Sequence, residues 1–250
     1  PMLYGVFSDI HSNLEALNAV LDAFESAKVE GYICAGDLVG YGPEPNAVLE
    51  RIRELKNCQV ICGNHDLAVI GRLDVEWFNA YARSAALWTR NVLTSDSRAY
   101  LESLTAKLDA KDFTLAHGTP RKPAEEYLMT AHTFRENISR VHVWPLIVGH
   151  SHMPHCFRIN VEGQVEDIDL LDHQVVEMGR AAYGTMPIVF NPGSVGQPRD
   201  HDPRASCALF DSGKGTWRSL RLSYDIAAVQ AKMRSNGLPE YLALRLAYGQ

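Results

Sequence analysis

The chain alternates short apolar segments with amphipathic ones, and this alternation constrains its fold more than any other feature of the 250 residues. Residues 3–7, 31–35 and 58–62 are apolar over lengths typical of buried strands. Between them, residues 14–24 and 47–55 carry apolar side chains at helical spacing. The alternation of strand and helix predicts a mainly parallel sheet covered on both faces.

The rest of the chain does not continue this alternation of strand and helix. Residues 67–110 are mostly helical by composition and rich in aromatic side chains, which predicts a helical cap over the strand ends. A hairpin is predicted to turn at Glu162 and Gly163, and residues 224–250 are predicted to be helical. Further strand candidates suggest a second sheet; they lie at 113–117, 144–148, 155–160, 165–170, 186–191, 205–211 and 216–222.

Polar side chains stand where the apolar strands end. In a parallel sheet the carboxyl ends of the strands share one edge, and ligands bind there. Five separate segments would therefore bring carboxylates, an amide and imidazoles to one crevice. One such residue is readily explained as a helix cap or a structural histidine, but the recurrence predicts a metal site. The residues are Asp9, His11, Asp37, Asn64, His65, His117, His150 and His152.

The types of ligand narrow the choice of metal. Oxygen and imidazole ligands without thiolate suit Mn, Fe, Zn, Co or Ni. Seven ligand residues are too many for one tetrahedral zinc ion, whereas two ions sharing Asp37 would use them all. The five cysteines form no CxxC pair, and three of them, in apolar runs such as YICAG and CQVIC, are interpreted as small buried thiols. An odd number of cysteines without a signal peptide fits a reducing cytoplasm.

Composition excludes other classes of function. The net charge is −6 and no block of Lys or Arg is present, which argues against broad nucleic-acid binding. The sequence has no apolar run of about 18 residues, so no membrane-spanning helix is expected. It also lacks the pattern of a signal peptide, and a cytoplasmic protein is expected.

Five motifs, in order, resemble those of the calcineurin-like metallophosphoesterase family, and a later segment, 191–199, resembles a loop common in its small bacterial members. The motifs are DxH at 9–11, GDxxxxGP at 36–43, GNHD at 63–66, HG at 117–118 and GHxH at 149–152. The resemblance implies an α/β fold, a two-sheet metallophosphoesterase sandwich flanked by helices. We expect a single domain over 1–250, with a helical cap insertion at about 67–110 and a C-terminal helical extension at about 224–250.

The resemblance also implies the roles of the residues. The first metal would be held by Asp9, His11, Asp37 and His152. The second would be held by Asp37, Asn64, His117 and His150. The implied cofactors are two divalent ions, with Mn favoured and Fe, Zn, Co or Ni as alternatives. A hydroxide bridging ions about 3.5–4 Å apart would attack phosphorus. His65 would be free of metal and donate a proton to the leaving group, while Asp66 is interpreted as a capping or supporting residue.

The sequence departs from the phosphoprotein phosphatases of the same superfamily. Their GDxVDRG motif supplies an aspartate that orients the catalytic histidine and an arginine that grips phosphate, where this chain has Gly40 and Tyr41. Another residue must then steady His65. Arg199 is the candidate replacement contact for phosphate, with a plain surface arginine as the alternative. Tyr41 is a candidate pocket residue, with a packing role as the alternative.

These observations predict an enzyme, a phosphoesterase that hydrolyses phosphomonoester, phosphodiester or phosphoanhydride bonds of a small, nucleotide-type substrate. The aromatic residues of the insertion could stack on a base. The alternatives are a phosphoprotein phosphatase and a non-catalytic scaffold of the same fold; the intact His65 argues against the scaffold. The expected partner is a small phosphorylated molecule, with neither nucleic acid nor membrane.

Overall fold

The computed structural model describes residues 1–181 and 184–250. Within these residues the strands form two six-stranded sheets and a two-stranded ribbon. In chain order they are β1 Leu3–Phe7, β2 Gly31–Cys34, β3 Cys58–Val60, β4 Lys107–Asp109, β5 Thr114–Ala116, β6 Leu146–Ile147, β7 Pro154–Ile159, β8 Val165–Asp169, β9 Val175–Glu177, β10 Arg180–Ala181, β11 Gly184–Thr185, β12 Ile188–Pro192, β13 Ala205–Asp211 and β14 Thr216–Leu222.

Helices cover the sheets and the edge where the strands end. The α-helices are α1 Leu14–Ser26, α2 Pro45–Arg53, α3 Asn64–Val69, α4 Ala80–Val92, α5 Ser95–Ser103, α6 Ala131–Asn137, α7 Ile226–Ser235 and α8 Glu240–Arg245. Short 3₁₀ turns lie at Val75–Trp77, Ile138–Arg140 and Leu246–Tyr248. None of the helices in the described ranges has both the length and the apolar character needed to cross a membrane.

The first sheet has the strand order β3-β2-β1-β13-β14-β9 and confirms the predicted parallel start. β1 runs parallel to β2, with Phe7 opposite Cys34, and β2 runs parallel to β3. The predicted strands β13 and β14 were expected in the second sheet. They instead continue the first one, because β13 pairs antiparallel with β1 through Val6 and Ala208. Periodicity indicates a strand but does not identify its partner.

The second sheet has the order β4-β5-β6-β12-β7-β8. Its β7–β8 hairpin turns at Gly163, which has φ +78°. The stretch 67–110 was predicted to be helical, but its last residues form the strand β4. This segment is a strand because it pairs antiparallel with β5, in the register Lys107–Ala116. The two sheets and the helices around them confirm the predicted α/β sandwich.

The main contact between the sheets is an apolar layer. Phe190 of β12 and Trp217 of β14 stack there, with ring centroids 4.4 Å apart and ring planes 5° apart. Both side chains are buried, and with them Val6, Ile33 and Ile147. On its other face the first sheet packs against α1 and α2. The packing on these faces therefore fixes the position of each sheet, and with it the edge at which the strands end.

The aromatic insertion and the C-terminal helices pack on each other. Ala82 and Ala85 of α4 share a buried cluster with Val229 of α7 and Leu242 of α8. Tyr41, which follows β2, belongs to the same cluster. The two helical segments therefore meet beside the edge where the parallel strands end.

Candidate metal centre

The predicted ligands follow strands of both sheets and converge at one edge. Four buried side chains offer one ligand atom each, and those atoms all lie within 4.8 Å of one another: Asp9, His11, Asp37 and His152. A second set of the same kind consists of Asp37, His117 and His150. Asp37 belongs to both sets, as predicted for a shared ligand.

Distances define the first set. His11 Nε2 lies 3.6 Å from Asp37 Oδ2 and 3.9 Å from Asp9 Oδ1. His152 Nε2 lies 3.4 Å from Asp9 Oδ1. The two imidazoles face each other, with Nε2 atoms 3.1 Å apart.

Backbone carbonyls fix the protonation of these two rings. His11 Nδ1 donates to Val39 O at 3.1 Å, and His152 Nδ1 donates to Gln197 O at 2.6 Å. Burial holds the pKa of both histidines well below the ordinary value, so the rings are neutral. Each Nε2 therefore carries a lone pair pointed at the other, an arrangement that a cation between them would relieve.

The second set repeats this arrangement. His117 Nδ1 donates to Ala35 O at 2.7 Å, while its Nε2 lies 3.3 Å from Asp37 Oδ2 and 3.1 Å from Asn64 Oδ1. Burial alone would lower the pKa of His117, but the Asp37 carboxylate outweighs it and raises the pKa to about 9. His150 Nε2 is buried without a hydrogen-bond partner among the described residues. The oxygens of Asp37 and Asn64 and the unpaired His150 Nε2 thus converge on a point that favours positive charge, which the His117 proton supplies when no metal is bound. A divalent ion can replace that proton, so the residues fit divalent metals.

The backbone of the ligand loops is strained. Five ligand residues have left-handed backbones, with φ between 49° and 68°: Asp9, His11, Asp37, His150 and His152. Residues other than glycine rarely adopt this conformation, and such strain clusters at functional sites.

Buried carboxylates also brace these loops. Asp66 accepts hydrogen bonds from the backbone N–H groups of Gly63, Leu38 and Val39 at 2.9–3.2 Å. It therefore ties the GNHD turn to the loop that carries Asp37, which is the supporting role predicted for it. The Asp37 Oδ1 atom in turn accepts from the backbone N–H of His65 at 2.9 Å.

The loop 191–199 supports the centre from the other side. Asn191 Nδ2 donates to Gly149 O at 2.7 Å, and Ser194 Oγ donates to Asp9 O at 2.7 Å. These bonds hold the backbone on both sides of the first set. The Ser194 hydroxyl is fully engaged with the backbone, since it also accepts from the Gln197 N–H at 2.8 Å.

His65 lies between two aromatic rings rather than beside a carboxylate. Its ring centroid is 4.5 Å from that of Tyr41 and 4.4 Å from that of Phe78. Gly40 lies against the edge of the imidazole. Burial lowers the pKa of His65 to about 4, although the Asp37 carboxylate opposes the shift. Aromatic packing thus steadies the ring where protein phosphatases use an aspartate.

Two clefts flank the centre. One, of about 550 Å³, is lined by His65, Tyr41 and Arg199 together with residues of the insertion and of α8. The other, of about 540 Å³, is lined by His150 and residues near Lys122. Asn64, Trp77, Phe78 and Tyr127 line both clefts.

Sequence reasoning missed three residues of this site. Phe78 was seen only as one of several aromatic residues in the insertion. Tyr127 lies in a loop without a motif, yet its ring stacks on His150 at 3.8 Å between centroids. Arg245 lies in a leucine-rich helix whose pattern gave no sign of a site.

Comparisons with known proteins agree with this geometry. The family model of the calcineurin-like phosphoesterase superfamily domain matches residues 2–215. An uncharacterized protein of Methanocaldococcus jannaschii is 37% identical over 255 residues, covering 99% of this chain and 98% of that protein. The crystal structure of a metallophosphoesterase from Sphaerobacter thermophilus aligns with a TM-score of 0.87 and 39% identity, covering 100% of this chain and 99% of that one.

A hypothetical protein of Pyrococcus horikoshii shares the fold, with a TM-score of 0.79 and 22% identity over 99% of this chain and 98% of that one. Fold and site together define a metal-dependent phosphoester hydrolase. The chain belongs to the calcineurin-like phosphoesterase superfamily.

Proposed function

We propose that the chain is a dinuclear metal-dependent phosphoesterase that hydrolyses a small, nucleotide-type phosphate ester or anhydride. The observation that carries the proposal is the position of Asp37, whose carboxylate belongs to two sets of inward-facing imidazoles at once. One shared carboxylate between two sets of ligands is the arrangement that a pair of ions requires.

The ligands divide between two ions. Asp9, His11, Asp37 and His152 would hold the first. Asp37, Asn64, His117 and His150 would hold the second. When bound, the pair supplies positive charge for the phosphoryl oxygens and lowers the pKa of the attacking water. The mixed oxygen and imidazole ligands suit Mn, Fe, Zn, Co or Ni, and Mn²⁺ is the ion proposed here.

The cysteines near the metal centre are poorly suited to bind a metal ion. Cys34 and Cys62 lie in the strand ends nearest to Asp37, and both are buried. Burial raises the pKa of Cys62 to about 12 and that of Cys34 well above its ordinary value. Both thiols therefore stay protonated, and only a thiolate binds metal well.

His65 is assigned as the proton donor to the leaving oxygen. The rings of Tyr41 and Phe78 hold the imidazole at the wall of the 550 Å³ cleft. A bound phosphate dianion favours the protonated imidazole, which opposes the effect of burial. General acid catalysis by such a residue contributes about 10²–10⁴ in rate.

The surroundings of the centre support a nucleotide-type substrate. Trp77 is 84% exposed and lines both clefts, and Tyr81 is 47% exposed in the wall of the 550 Å³ cleft. Exposed aromatic faces can stack on a base, a contact worth about 1–3 kcal/mol. Arg199 of the same wall is the proposed contact for phosphate.

Reconstitution of the metal-free protein tests the proposal. We expect hydrolysis of bis(p-nitrophenyl) phosphate or p-nitrophenyl phosphate after addition of Mn²⁺, with Fe²⁺, Zn²⁺, Co²⁺ and Ni²⁺ compared in parallel. The His65→Ala variant should lose at least 100-fold in kcat. His142→Ala is the matched control, because His142 is exposed and lies outside both sets of ligands. Absence of turnover with every metal would refute the proposal.

A substrate panel separates the proposed activity from its alternatives. Nucleotides and dinucleoside polyphosphates should be hydrolysed faster than phosphopeptides. Preference for phosphopeptides would instead indicate a protein phosphatase, and unchanged activity of His65→Ala would remove the assigned acid.

A further inference from the structure

The 550 Å³ cleft that His65 lines contains two arginines from distant parts of the chain. Arg199 ends the loop 191–199, and Arg245 ends α8. The cleft is also the one that His65 lines, whereas His65 is absent from the lining of the second cleft. The arginines therefore lie on the side of the centre where the leaving group would depart.

Arg199 is held in place by neutral groups. Its Nη2 donates to Gln197 Oε1 at 2.9 Å and to the Tyr41 hydroxyl at 3.3 Å. Its Nε is buried without a hydrogen-bond partner among the described residues. The hydrogen bonds of the described residues therefore use only Nη2 and leave the other N–H groups of this guanidinium unpaired.

Arg245 faces the same cleft from the C-terminal helices. Its guanidinium carbon lies 5.5 Å from the centroid of the Tyr241 ring, and the side chain is half-buried. Burial and the charge of Arg199 lower its pKa, which remains far above neutrality for an arginine. The helix therefore carries a second full positive charge into the wall.

The two guanidiniums differ in their partners. Among residues 1–181 and 184–250, no side-chain carboxylate lies within ion-pair distance of Arg199 or Arg245, whereas Arg204 and Arg234 each pair with a carboxylate at 2.7 Å. Arg245 Nε donates to the main-chain oxygen of Gln250, which leaves its two Nη groups to face a ligand. Two like charges in one partly buried wall repel each other, and an anion between them would reverse that cost.

We propose that Arg199 and Arg245 form a second anion subsite, which binds a phosphate group carried by the leaving group. This inference depends on the proposed phosphoesterase function. The preferred substrates would then be molecules in which the scissile phosphorus is joined through oxygen to a further phosphate, such as nucleoside or dinucleoside polyphosphates.

The reaction balances with water as the only co-reactant. An oxygen of water bonds to the phosphorus that the metal centre would hold and releases a proton to solvent, and the bond between that phosphorus and the bridging oxygen breaks. The bridging oxygen leaves with its electron pair as part of the second phosphate. The two arginines stabilise this charge, so less proton donation is required than for an alcohol.

Binding of two nucleotides that differ by one phosphate tests the subsite. The Mn²⁺-loaded protein should bind ADP at least 10-fold more tightly than AMP, as measured by isothermal titration calorimetry. Arg245→Met should reduce this preference to less than 3-fold, since a methionine keeps the length of the side chain without its charge. Arg245→Lys should retain part of the preference.

Arg218→Met is the matched control, because Arg218 is exposed on β14 and does not line the cleft. It should leave the preference for ADP unchanged. Equal binding of ADP and AMP by the wild type, or an unchanged preference in Arg245→Met, would overturn the inference. Turnover of bis(p-nitrophenyl) phosphate is measured on the same samples. Turnover without the ADP preference would refute the subsite alone, and loss of turnover would refute the proposed function.

Discussion

Gly40 lies directly against the imidazole of His65. A Cβ atom placed on Gly40 would come within 2.8 Å of His65 Nδ1 and 3.2 Å of His65 Cβ. The space that a side chain would occupy is thus filled by the histidine, whose ring packs between Tyr41 and Phe78. The glycine and the two aromatic rings together determine where this imidazole can lie.

Substitution of Gly40 should therefore impair catalysis without removing metal. We expect Gly40→Ala to lower kcat about 10–100-fold, because displacement of a catalytic group by about 1 Å can cost two orders of magnitude. Gly71→Ala is the control: Gly71 has a similar positive φ of +82°, yet nothing lies within 4 Å of its Cβ position. Full activity of Gly40→Ala would show that the packing does not position His65.

Asp37→Asn should remove metal from both sites. The carboxylate is shared by the two sets of ligands, and an amide offers a neutral, weaker ligand. Elemental analysis should show about two metal ions per wild-type chain and less than one per variant chain. Asp22→Asn, at an exposed position of α1, should match the wild type. Retention of one full ion by Asp37→Asn would mean that the carboxylate serves a single site.

The sequence was sufficient to predict that these polar side chains converge, because they sit in short motifs at the ends of strands. Asp9 and His11, or His150 and His152, are close in the chain, so local strand geometry already brings them to one edge. The expected order of the first three strands and the two helices between them was correct for the same local reason.

Residues brought in by long-range packing could not be predicted. Tyr127 and Arg245 reach the site from segments without a motif, and their positions depend on how α8 and the loop after β5 pack. The pairing of β13 with β1 is also set by the layer between the sheets rather than by local pattern. Gly40 is a further example. The sequence showed that the aspartate of the protein phosphatases is missing there, but not that the rings of Tyr41 and Phe78 pack on His65 in its place.

Tyr127 stacks on His150 with ring centroids 3.8 Å apart and ring planes 11° apart. Removal of the ring should let His150 reorient. We expect Tyr127→Ala to weaken binding of one metal ion about 10-fold, an effect typical of residues that support a metal ligand. Tyr127→Phe keeps the stacking and should bind metal like the wild type. Metal titration followed by calorimetry distinguishes these outcomes, and equal affinities of all three proteins would exclude a supporting role.

The loop that leads to Tyr127 depends on a partly exposed ion pair, Glu126 with Arg121, for its pH response. Glu126 accepts hydrogen bonds from the Thr119 hydroxyl at 2.6 Å and from Arg121 Nε at 3.2 Å. Its hydrogen bonds with Arg121 lower the pKa of Glu126 to about 2. Because the folded state holds this pKa below the ordinary value of 4.5, the stabilisation is complete above pH 4.5 and disappears as the pH falls toward 2.

Glu126→Gln should accordingly lower the free energy of unfolding at pH 7 by about 0.2–1 kcal/mol, the usual scale for a solvent-exposed ion pair. The difference from the wild type should shrink between pH 4.5 and pH 3. Urea denaturation at several pH values measures both quantities. Glu50→Gln, exposed on α2, should show no such trend. A difference that stays constant with pH would rule out the ion pair as its source.

The metal centre joins the two sheets, so packing between the sheets and metal binding should reinforce each other. Asp9 and Asp37 follow strands of the first sheet, whereas His117 and His150 follow strands of the second. The layer between the sheets contains the buried Phe190, whose truncation to alanine should cost about 3–5 kcal/mol of stability. Phe190→Leu, which keeps most of the volume, should cost about 1 kcal/mol.

Because metal binds the folded state only, Mn²⁺ should raise the midpoint of thermal unfolding of the wild type, as expected from mass action. Phe190→Ala should also bind Mn²⁺ less tightly than Phe190→Leu, since looser packing lets the two halves of the ligand set separate. Differential scanning calorimetry with and without Mn²⁺ measures both effects. Equal metal affinity in the two variants would mean that the strand ends are held together by the loops 8–13 and 191–199, independently of the core.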